Sequence, residues 1–345
     1  MYSTRSKYQQ PTKTKNQNKN KWNECSCYMS NGILTIIGGK DKPLIAGNAV
    51  DRPWRNGELK HVIIKGKIAF DKNHYSLNSL FQWSTSLIDI VGLENFDTTN
   101  VTDMSFMFEE CISLTKVDVT KLNTSNVTSM HLMFSGCSGL TELDLSNFDT
   151  TKVTDMYEMF NSCTNLTKLN LSNWNTSSLT TAYGMFANCR ELTELDASHF
   201  NTSNVTDMSF MFSYCRKLTQ LDVSSFDTSN VTDMNGMFRY CSGLTEIDVS
   251  HFNTSKVTNI YSMFEFCNGL TKLDLSNFDT ANVHDMRSMF NMCCNLVQLN
   301  ISSFSFNNRY GTWCYRMLTG CSKLESITIP PNISNYHLRE ILRSI

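Results

Sequence analysis

The sequence predicts an α/β repeat solenoid, an array of similar units with short parallel strands on its concave face and short helices on its convex face. Eight cysteines recur at an unbroken interval of 26 residues from Cys111 to Cys293. Each cysteine ends a Met-Phe-x-x-Cys string and is followed by Leu-x-x-Leu-x-Leu or a close variant. A fixed period of this length is typical of stacked repeats, whose open ends need caps.

Each unit begins with a large apolar residue and a polar tetrapeptide. After Phe226, for example, the sequence reads Asp-Thr-Ser-Asn over residues 227–230. The side chains of these residue types bond to their own backbone, which favours a turn. We therefore expect the chain to change direction at this point of every unit.

The segment after the turn has helical spacing. In one unit it places Met208, Met211, Phe212 and Cys215 at i, i+3, i+4 and i+7, on one face of a two-turn helix. Thr206 or Asp207 would be the N-cap residue of that helix. Because a helix of two turns is unstable alone in water, it must pack against the rest of the unit.

The leucine pattern after each cysteine predicts a short strand with one buried face. Leu218, Leu221 and Val223 illustrate it, with alternation at the last two positions. Such strands would pair in parallel with those of neighbouring units, about 4.8 Å apart. Because a helix is about 10 Å wide, helices outside and strands inside would bend the array and leave the strands concave.

These strings resemble the BspA-like class of leucine-rich repeat proteins. The string Leu-Ser-Asn-Phe-Asp-Thr-x-x-Val-Thr-Asp-Met-x-x-Met-Phe-x-x-Cys stands complete at 145–163 and recurs from Phe96 to about Ile329. The resemblance implies a leucine-rich-repeat-like solenoid that attaches cells to a protein or glycan at the cell surface or after secretion. The sequence has no recognisable signal peptide, so a cytoplasmic interaction scaffold is the alternative.

Four regions are expected along the chain. Residues 1–30 would form a disordered basic tail, and residues 31–95 an N-terminal cap with a partial repeat in which Leu80-Phe81 replaces Met-Phe. Residues 96–329 would form the solenoid, and residues 330–345 a C-terminal capping helix. That helix would begin at Ser334 or Asn335, and the residues expected on its inner side are Leu338, Ile341, Leu342 and Ile345.

Composition argues against several classes of function. With 30 basic and 32 acidic residues, the formal charge of −2 gives no general attraction to nucleic acid or anionic membranes, and neither partner is expected. No apolar run is long enough for a membrane span. We find no nucleophile elbow, zinc-protease motif, phosphate-binding loop or dinucleotide fingerprint, and therefore expect neither catalysis nor a cofactor.

The repeated cysteines have three interpretations: buried reduced thiols, disulfides, or a metal-thiolate column. We favour buried thiols, because free cysteine is often buried and zinc requires clustered ligands. The expected core residues are Cys111, Cys137, Cys163, Cys189, Cys215, Cys241, Cys267 and Cys293. Cys25 and Cys27 lie outside this series, and we expect them to be surface thiols.

A column of acidic or amide residues occupies the outward position between the last two apolar residues of each strand. Its members are Asp118, Asp144, Asn170, Asp196, Asp222, Asp248, Asp274 and Asn300. Like charges this close destabilise a sheet, so something must compensate. The column either binds cations or a basic ligand, or is screened by water, Thr and Ser side chains, Lys116, Lys168 and Lys272. We take it as the candidate binding surface for a protein or glycan.

The histidines do not predict a metal site. His199 and His251 share a column but lie two units apart, which is about 10 Å by strand spacing. Metal–nitrogen bonds are only about 2 Å long, so one ion would not reach both side chains. We expect both to be polar turn residues.

Overall fold

A parallel ladder runs through the repeats of the computed structural model, which describes residues 21–54, 56–306 and 313–342. One residue of each unit forms a parallel bridge with its counterpart in the next. The bridged residues are Ser76, Asp103, Ser129, Asp155, Thr181, Asp207, Asp233, Asn259, Asp285 and Trp313. The predicted repeat solenoid with parallel stacking is therefore confirmed.

The N-terminal region forms two small sheets. The strands are β1 (Lys21–Trp22), β2 (Cys25–Ser30), β3 (Ile33–Ile37), β4 (Leu44–Ile45), β5 (His61–Lys65), β6 (Ile68–Ala69), β7 (Asp89–Val91) and β8 (Phe96–Asp97), with 3-10 turns at Ala49–Asp51, Asn56–Glu58 and Leu93–Asn95. One sheet has the order β1-β2-β3-β5-β7 and the other β4-β6-β8. β1 to β3 pair antiparallel, and the remaining neighbours pair in parallel.

The boundary of the predicted tail is wrong. Residues 21–30 include β1 and the whole of β2, and residues 1–20 lie outside the described part of the chain. Trp22 is fully buried and its ring packs edge-on against Trp54 and Phe70. Burial of this side chain ties the segment to the core, which the basic composition around it did not indicate.

Within the described part of the chain, the strand segments of the repeats pair in two places. One two-stranded sheet joins β9 (Glu142–Asp144) to β10 (Lys168–Asn170). A three-stranded sheet joins β11 (Lys272–Asp274), β12 (Gln298–Asn300) and β13 (Ser326–Thr328). The sequence predicted one continuous sheet through all units, and this prediction is correct only for these five.

The predicted two-turn helices are absent from the described repeats, where successive turns replace them. The Met211 and Cys215 amides donate to carbonyls three residues back, whereas the Phe210 and Phe212 amides donate to Asn235 and Met237 of the next unit. In an α-helix every amide would bond four residues back within the same segment. The apolar spacing correctly predicted the buried face. The backbone conformation differs because amides of the segment bond to carbonyls of the next unit and not to carbonyls within a helix.

This correction removes the expected cause of curvature. The turns of adjacent units are joined by hydrogen bonds of 2.8–2.9 Å, for example from Phe210 to Asn235 and from Phe212 to Met237. The turn side of the repeat is therefore built from backbone that bonds to the next unit. A wide helical layer opposite a narrow strand layer does not exist here.

The turns impose left-handed backbone on two residues of each unit. Phe210 and Tyr214 have φ of 56° and 64°. For residues with a Cβ this conformation costs about 1–2 kcal/mol, which packing between units must offset. Gly236 occupies the same position one unit after Phe210, and a Cβ there would lie 2.6 Å from the Phe210 ring.

The core is a stack of identical layers. Phe108, Phe134 and Phe160 lie in one column with ring centroids 5.3 and 6.0 Å apart, and the partial repeat joins it through Phe81. Each layer buries about nine side chains, in one unit Phe200, Val205, Met208, Met211, Phe212, Cys215, Leu218, Leu221 and Val223. Burying each large one contributes about 1.5–3 kcal/mol before entropy is subtracted.

A short helix follows the last strand. Pairing ends at Thr328, before Pro330, and α1 covers Asn335–Leu342. The Ser334 hydroxyl accepts the His337 amide at 3.3 Å, so the predicted helix start is confirmed. Ile341 is buried, but Leu342 is 45% exposed, contrary to expectation, because the helix presents a narrow stripe to the core. Ile345 lies outside the described residues.

Candidate functional site

The predicted acidic column lies on the solvent side of the strand segments, which we call the strand face. Asp118, Asp222 and their counterparts are exposed, and only Asn300 is half-buried. The inward neighbours on either side, such as Leu221 and Val223, are buried. The alternation predicted from the sequence therefore holds at these positions.

Every member of the column closes a local turn. The Oδ1 atom of Asp222 accepts the amide of Ser224 at 2.9 Å, and Asp118 accepts both the amide and the hydroxyl of Thr120. The same bond to the residue two positions later is made at Asp144, Asn170, Asp196, Asp248, Asp274 and Asn300. The column thus has a structural role that the sequence analysis missed.

These hydrogen bonds stabilise the charged form of the carboxylates. The Thr120 and Ser198 hydroxyls lower the pKa of Asp118 and Asp196, respectively, with help from the amides of the same residues. The Ser250 amide and side chain likewise lower the pKa of Asp248. These three aspartates are therefore ionised at neutral pH.

Strand pairing avoids direct contact between two aspartates. Asp144 is paired with Asn170, and Asp274 with Asn300, in the two sheets. The successive units that carry Asp196, Asp222 and Asp248 have no paired strands. Because opposed like charges destabilise a sheet, amides at two positions permit pairing where two carboxylates would oppose it.

The lysines expected to screen the column do not pair with it. Lys116, Lys168 and Lys272 are exposed, and none forms an ion pair with a described carboxylate. Screening by Thr and Ser hydroxyls does occur, with the Thr120 hydroxyl 2.7 Å from Asp118 and the Ser198 hydroxyl 2.6 Å from Asp196.

A groove of about 1070 Å³ follows the strand face across five units, from Lys116 to Asp222. Five of the eight candidate residues line it, namely Asp118, Asp144, Asn170, Asp196 and Asp222. Asp248, Asp274 and Asn300 lie beyond its end. Its lining carries six carboxylates and two lysines, a formal charge of −4. Its shape and charge fit an extended ligand with basic or hydrogen-bond donor groups.

The repeated cysteines are buried, and each thiol has a hydrogen-bond partner. The Sγ atom of Cys215 donates to the Phe186 carbonyl at 3.2 Å, and the other thiols of the series make the equivalent bond. Burial raises the pKa of Cys163 and of Cys215 to about 12. Cys321, in the last unit, continues the series.

The remaining cysteines and the histidines do not form a metal site. Cys25 and Cys27, expected at the surface, are buried on the inner side of β2, and burial raises the pKa of Cys25 to about 11. His199 and His251 each bond to a carbonyl of the preceding unit. Among the described residues no group of three potential ligands could hold a metal ion.

A buried threonine in each turn was missed by the sequence analysis. The Thr150 hydroxyl donates to the Asn175 carbonyl at 2.9 Å and accepts the Asn175 amide at 2.8 Å, so it joins adjacent units twice. The column comprises Thr98, Thr124, Thr150, Thr176, Thr202, Thr228, Thr254 and Thr280. The sequence contained a signal for it, because all eight units have threonine at the second position of the polar tetrapeptide.

One family model matches the repeats. It is described as "Mycoplasma protein of unknown function, DUF285" and matches residues 75–194, 140–241, 180–304 and 217–329. Together these matches cover well over half of the chain. No curated protein matches the sequence.

Three bacterial proteins of known structure are similar to the chain. A leucine-rich repeat protein from Eubacterium ventriosum is 18% identical with a TM-score of 0.45, covering 89% of this chain and 83% of that one. A leucine rich cell surface protein from Faecalibacterium prausnitzii is 16% identical with a TM-score of 0.40, covering 96% and 98%. A leucine-rich repeat protein from Bacteroides ovatus is 15% identical with a TM-score of 0.37, covering 92% and 95%.

No helix among the described residues combines the length and the apolar character that a membrane crossing requires.

Proposed function

The chain belongs to the DUF285 family, and we propose that this repeat protein is a non-catalytic binding module of the BspA-like surface type. Its strand face would contact a protein or glycan on a host or neighbouring cell. The observation that carries the proposal is the groove, which spans five units on a face where polar side chains point outward in register. Solenoids commonly bind partners on such extended surfaces.

The chemistry of the groove favours binding over catalysis. Its aspartates accept hydrogen bonds within their own turns, and the described part of the chain has no cluster able to hold a metal ion. Their carboxylates follow one another from unit to unit along the groove. A ligand with ammonium, guanidinium or hydroxyl groups would satisfy them through repeated contacts.

The test replaces the groove aspartates without removing their turns. A chain carrying Asp118→Asn, Asp144→Asn, Asp196→Asn and Asp222→Asn keeps an amide oxygen for each turn but loses four charges. The probes are a printed glycan array and a surface of immobilised basic proteins. We expect the unaltered chain to give specific signals that fall at least about tenfold in the variant, since charged hydrogen bonds are the strong ones.

The matched control changes the same column outside the groove. Asp248→Asn combined with Asp274→Asn removes charges that the groove does not include, and it should leave the signals unchanged. Equal losses in both variants would mean that net charge, and not the groove, controls binding. Undiminished signals in the groove variant, or no specific signal from the unaltered chain, would contradict the proposal.

A second candidate function is an intracellular interaction scaffold. All thirteen cysteines are free, and disulfides are rare in reducing compartments. Locating the tagged protein in its own cells separates the two candidates: surface labelling of intact cells supports the adhesion module, and labelling only after permeabilisation supports the scaffold.

A further inference from the structure

An aromatic column lies on the turn side of the repeats, immediately before the buried cysteines. Tyr214, Tyr240 and Phe266 stack with ring centroids 4.2 and 4.3 Å apart and interplanar angles of 12° and 8°. The three residues are half-buried. Because the inner ring faces meet one another, the column presents mainly ring edges to solvent.

Two arginines beside this column have no acidic partner. The guanidinium carbons of Arg190 and Arg216 lie 6.0 and 5.3 Å from the Tyr214 ring centroid, and Arg216 also lies 5.6 Å from that of Tyr240. Both side chains are exposed, and neither forms an ion pair with a described carboxylate. Arg190 is placed by cation–π contact with Tyr214, whereas Arg216 lies beside the edges of both stacked tyrosine rings, and both side chains are open to solvent.

The neighbouring basic residues behave differently. Lys217 is paired with Glu191, and Arg239 with Glu265, which is 6% exposed. Of these four basic residues, Lys217 and Arg239 have a carboxylate partner. Arg190 and Arg216, which both lie beside the Tyr214 ring, have none among the described carboxylates. These two arginines occupy equivalent positions in adjacent units, which stack about 4.8 Å apart.

We propose that Arg190 and Arg216 form a clamp for the sulfate or carboxylate groups of an anionic glycan. Two guanidiniums at this spacing can donate paired N–H bonds to one anion or to successive anions of a chain. The ring edges beside them offer apolar surface to a sugar. Nucleic acid is the poorer fit, since bases bind by stacking on ring faces that this column already uses internally. The clamp lies outside the groove and does not depend on its function.

The test measures binding of the full-length chain to heparin by isothermal titration. Five Lys and Arg residues precede Lys21, and all five are replaced by Gln in every protein compared, so that they do not mask the clamp. We expect Arg190→Ala with Arg216→Ala to weaken binding about tenfold or more. Arg216→Lys alone should weaken it less, because lysine keeps the charge but loses the paired N–H donors of the guanidinium.

The matched control removes two exposed positive charges that lie outside both the clamp and the groove, through Lys65→Ala with Lys121→Ala. It should bind heparin as the parent does, and thermal melts should show that all variants fold. Hyaluronan, which carries only carboxylates, and a single-stranded DNA of equal charge complete the comparison. Binding of heparin or of hyaluronan that depends on the two arginines supports the clamp. Comparing the two glycans then shows whether the clamp recognises sulfate or carboxylate groups. Equal binding by the arginine variant, equal loss in the control, or tighter binding of the DNA would overturn it.

Discussion

The Sγ atom of Cys163 donates a hydrogen bond to the carbonyl oxygen of Phe134, 3.1 Å away in the preceding unit. The same carbonyl accepts the backbone amide of Cys137 at 3.0 Å. Each thiol therefore completes the bonding of a buried carbonyl at a unit boundary while it fills core volume. The cysteine series is one of the contacts that join consecutive units.

This arrangement predicts that almost all thiols are unreactive in the folded protein. Twelve of the thirteen cysteines are buried and Cys294 is partly exposed. Titration with a thiol reagent should modify only Cys294 before denaturation and all thirteen afterwards, because thiolates form where solvent reaches the sulfur. Cys294→Ser should abolish the native reaction. Rapid native labelling of several thiols would contradict the burial of the series.

The raised thiol pKa values predict alkaline destabilisation. Cys163 and Cys215 have a pKa of about 12 in the folded chain, against an ordinary value of 9.0. A raised pKa means that folding favours the protonated thiol, so this contribution is complete below pH 9.0 and is lost as pH rises towards 12. The melting temperature should fall over that window. Replacing both residues with alanine should reduce the slope, and an unchanged slope would assign the fall to other groups.

The acidic column predicts graded effects for two substitutions at one position. Asp248→Asn keeps the turn acceptor but loses the charge that the turn's hydrogen bonds favour, so the chain should be as stable or slightly less stable. Asp248→Ala loses the bond to the Ser250 amide and should be less stable by a few tenths of a kcal/mol, because the site is exposed. Thermal melts at low and high salt measure both. A more stable alanine variant would refute the turn role.

The same column has a pH dependence of the opposite sign. Hydrogen bonds within the turns hold the pKa of Asp118, Asp196 and Asp248 below 3.8. Their contribution to stability is present above that value and is lost as pH falls through the folded pKa values. The stability plateau therefore lies between the acidic loss and the alkaline one.

The buried threonine column predicts a larger loss of stability than the acidic column when a single hydroxyl group is removed. Thr150→Val keeps the shape of the side chain but removes both hydrogen bonds to Asn175, which should cost about 1–3 kcal/mol. Thr154→Val is the control, since that hydroxyl makes one bond at an exposed position. Urea denaturation measures the difference. Equal free energies of unfolding for the two variants would mean that the buried hydroxyls do not join the units.

The sequence predicted stacking and burial better than it predicted backbone bonding. The 26-residue interval correctly identified the unit, and Met208, Met211, Phe212 and Cys215 are all buried as their spacing indicated. That spacing does not distinguish a helix from successive turns, because the two differ in where the Phe210 and Phe212 amides bond and not in which side chains face inward. The carbonyls that accept them belong to another unit, which a pattern local to one segment does not reveal.

For the candidate site too, the sequence predicted the position of the side chains better than their hydrogen bonding. The alternation around Asp222 correctly placed the acidic column on the solvent side, and the charge repulsion identified there was a sound reason to seek compensation. The compensation comes from an amide two residues along the same chain and from asparagines opposite Asp144 and Asp274. The extent of the groove depends on how five units are placed relative to one another, which a sequence pattern does not give.

Hydrogen exchange of the unaltered chain and of Phe212→Asp tests the coupling of stacked units most directly. Phe212 is fully buried and its ring stacks between those of Phe186 and Phe238 at 5.7 and 5.8 Å. A charge there should cost more than about 4 kcal/mol and break the array into two parts. We predict that amides on the two sides of the substitution then open with different free energies, whereas in the unaltered chain they open together. Uniform, unchanged protection across the variant would contradict the account.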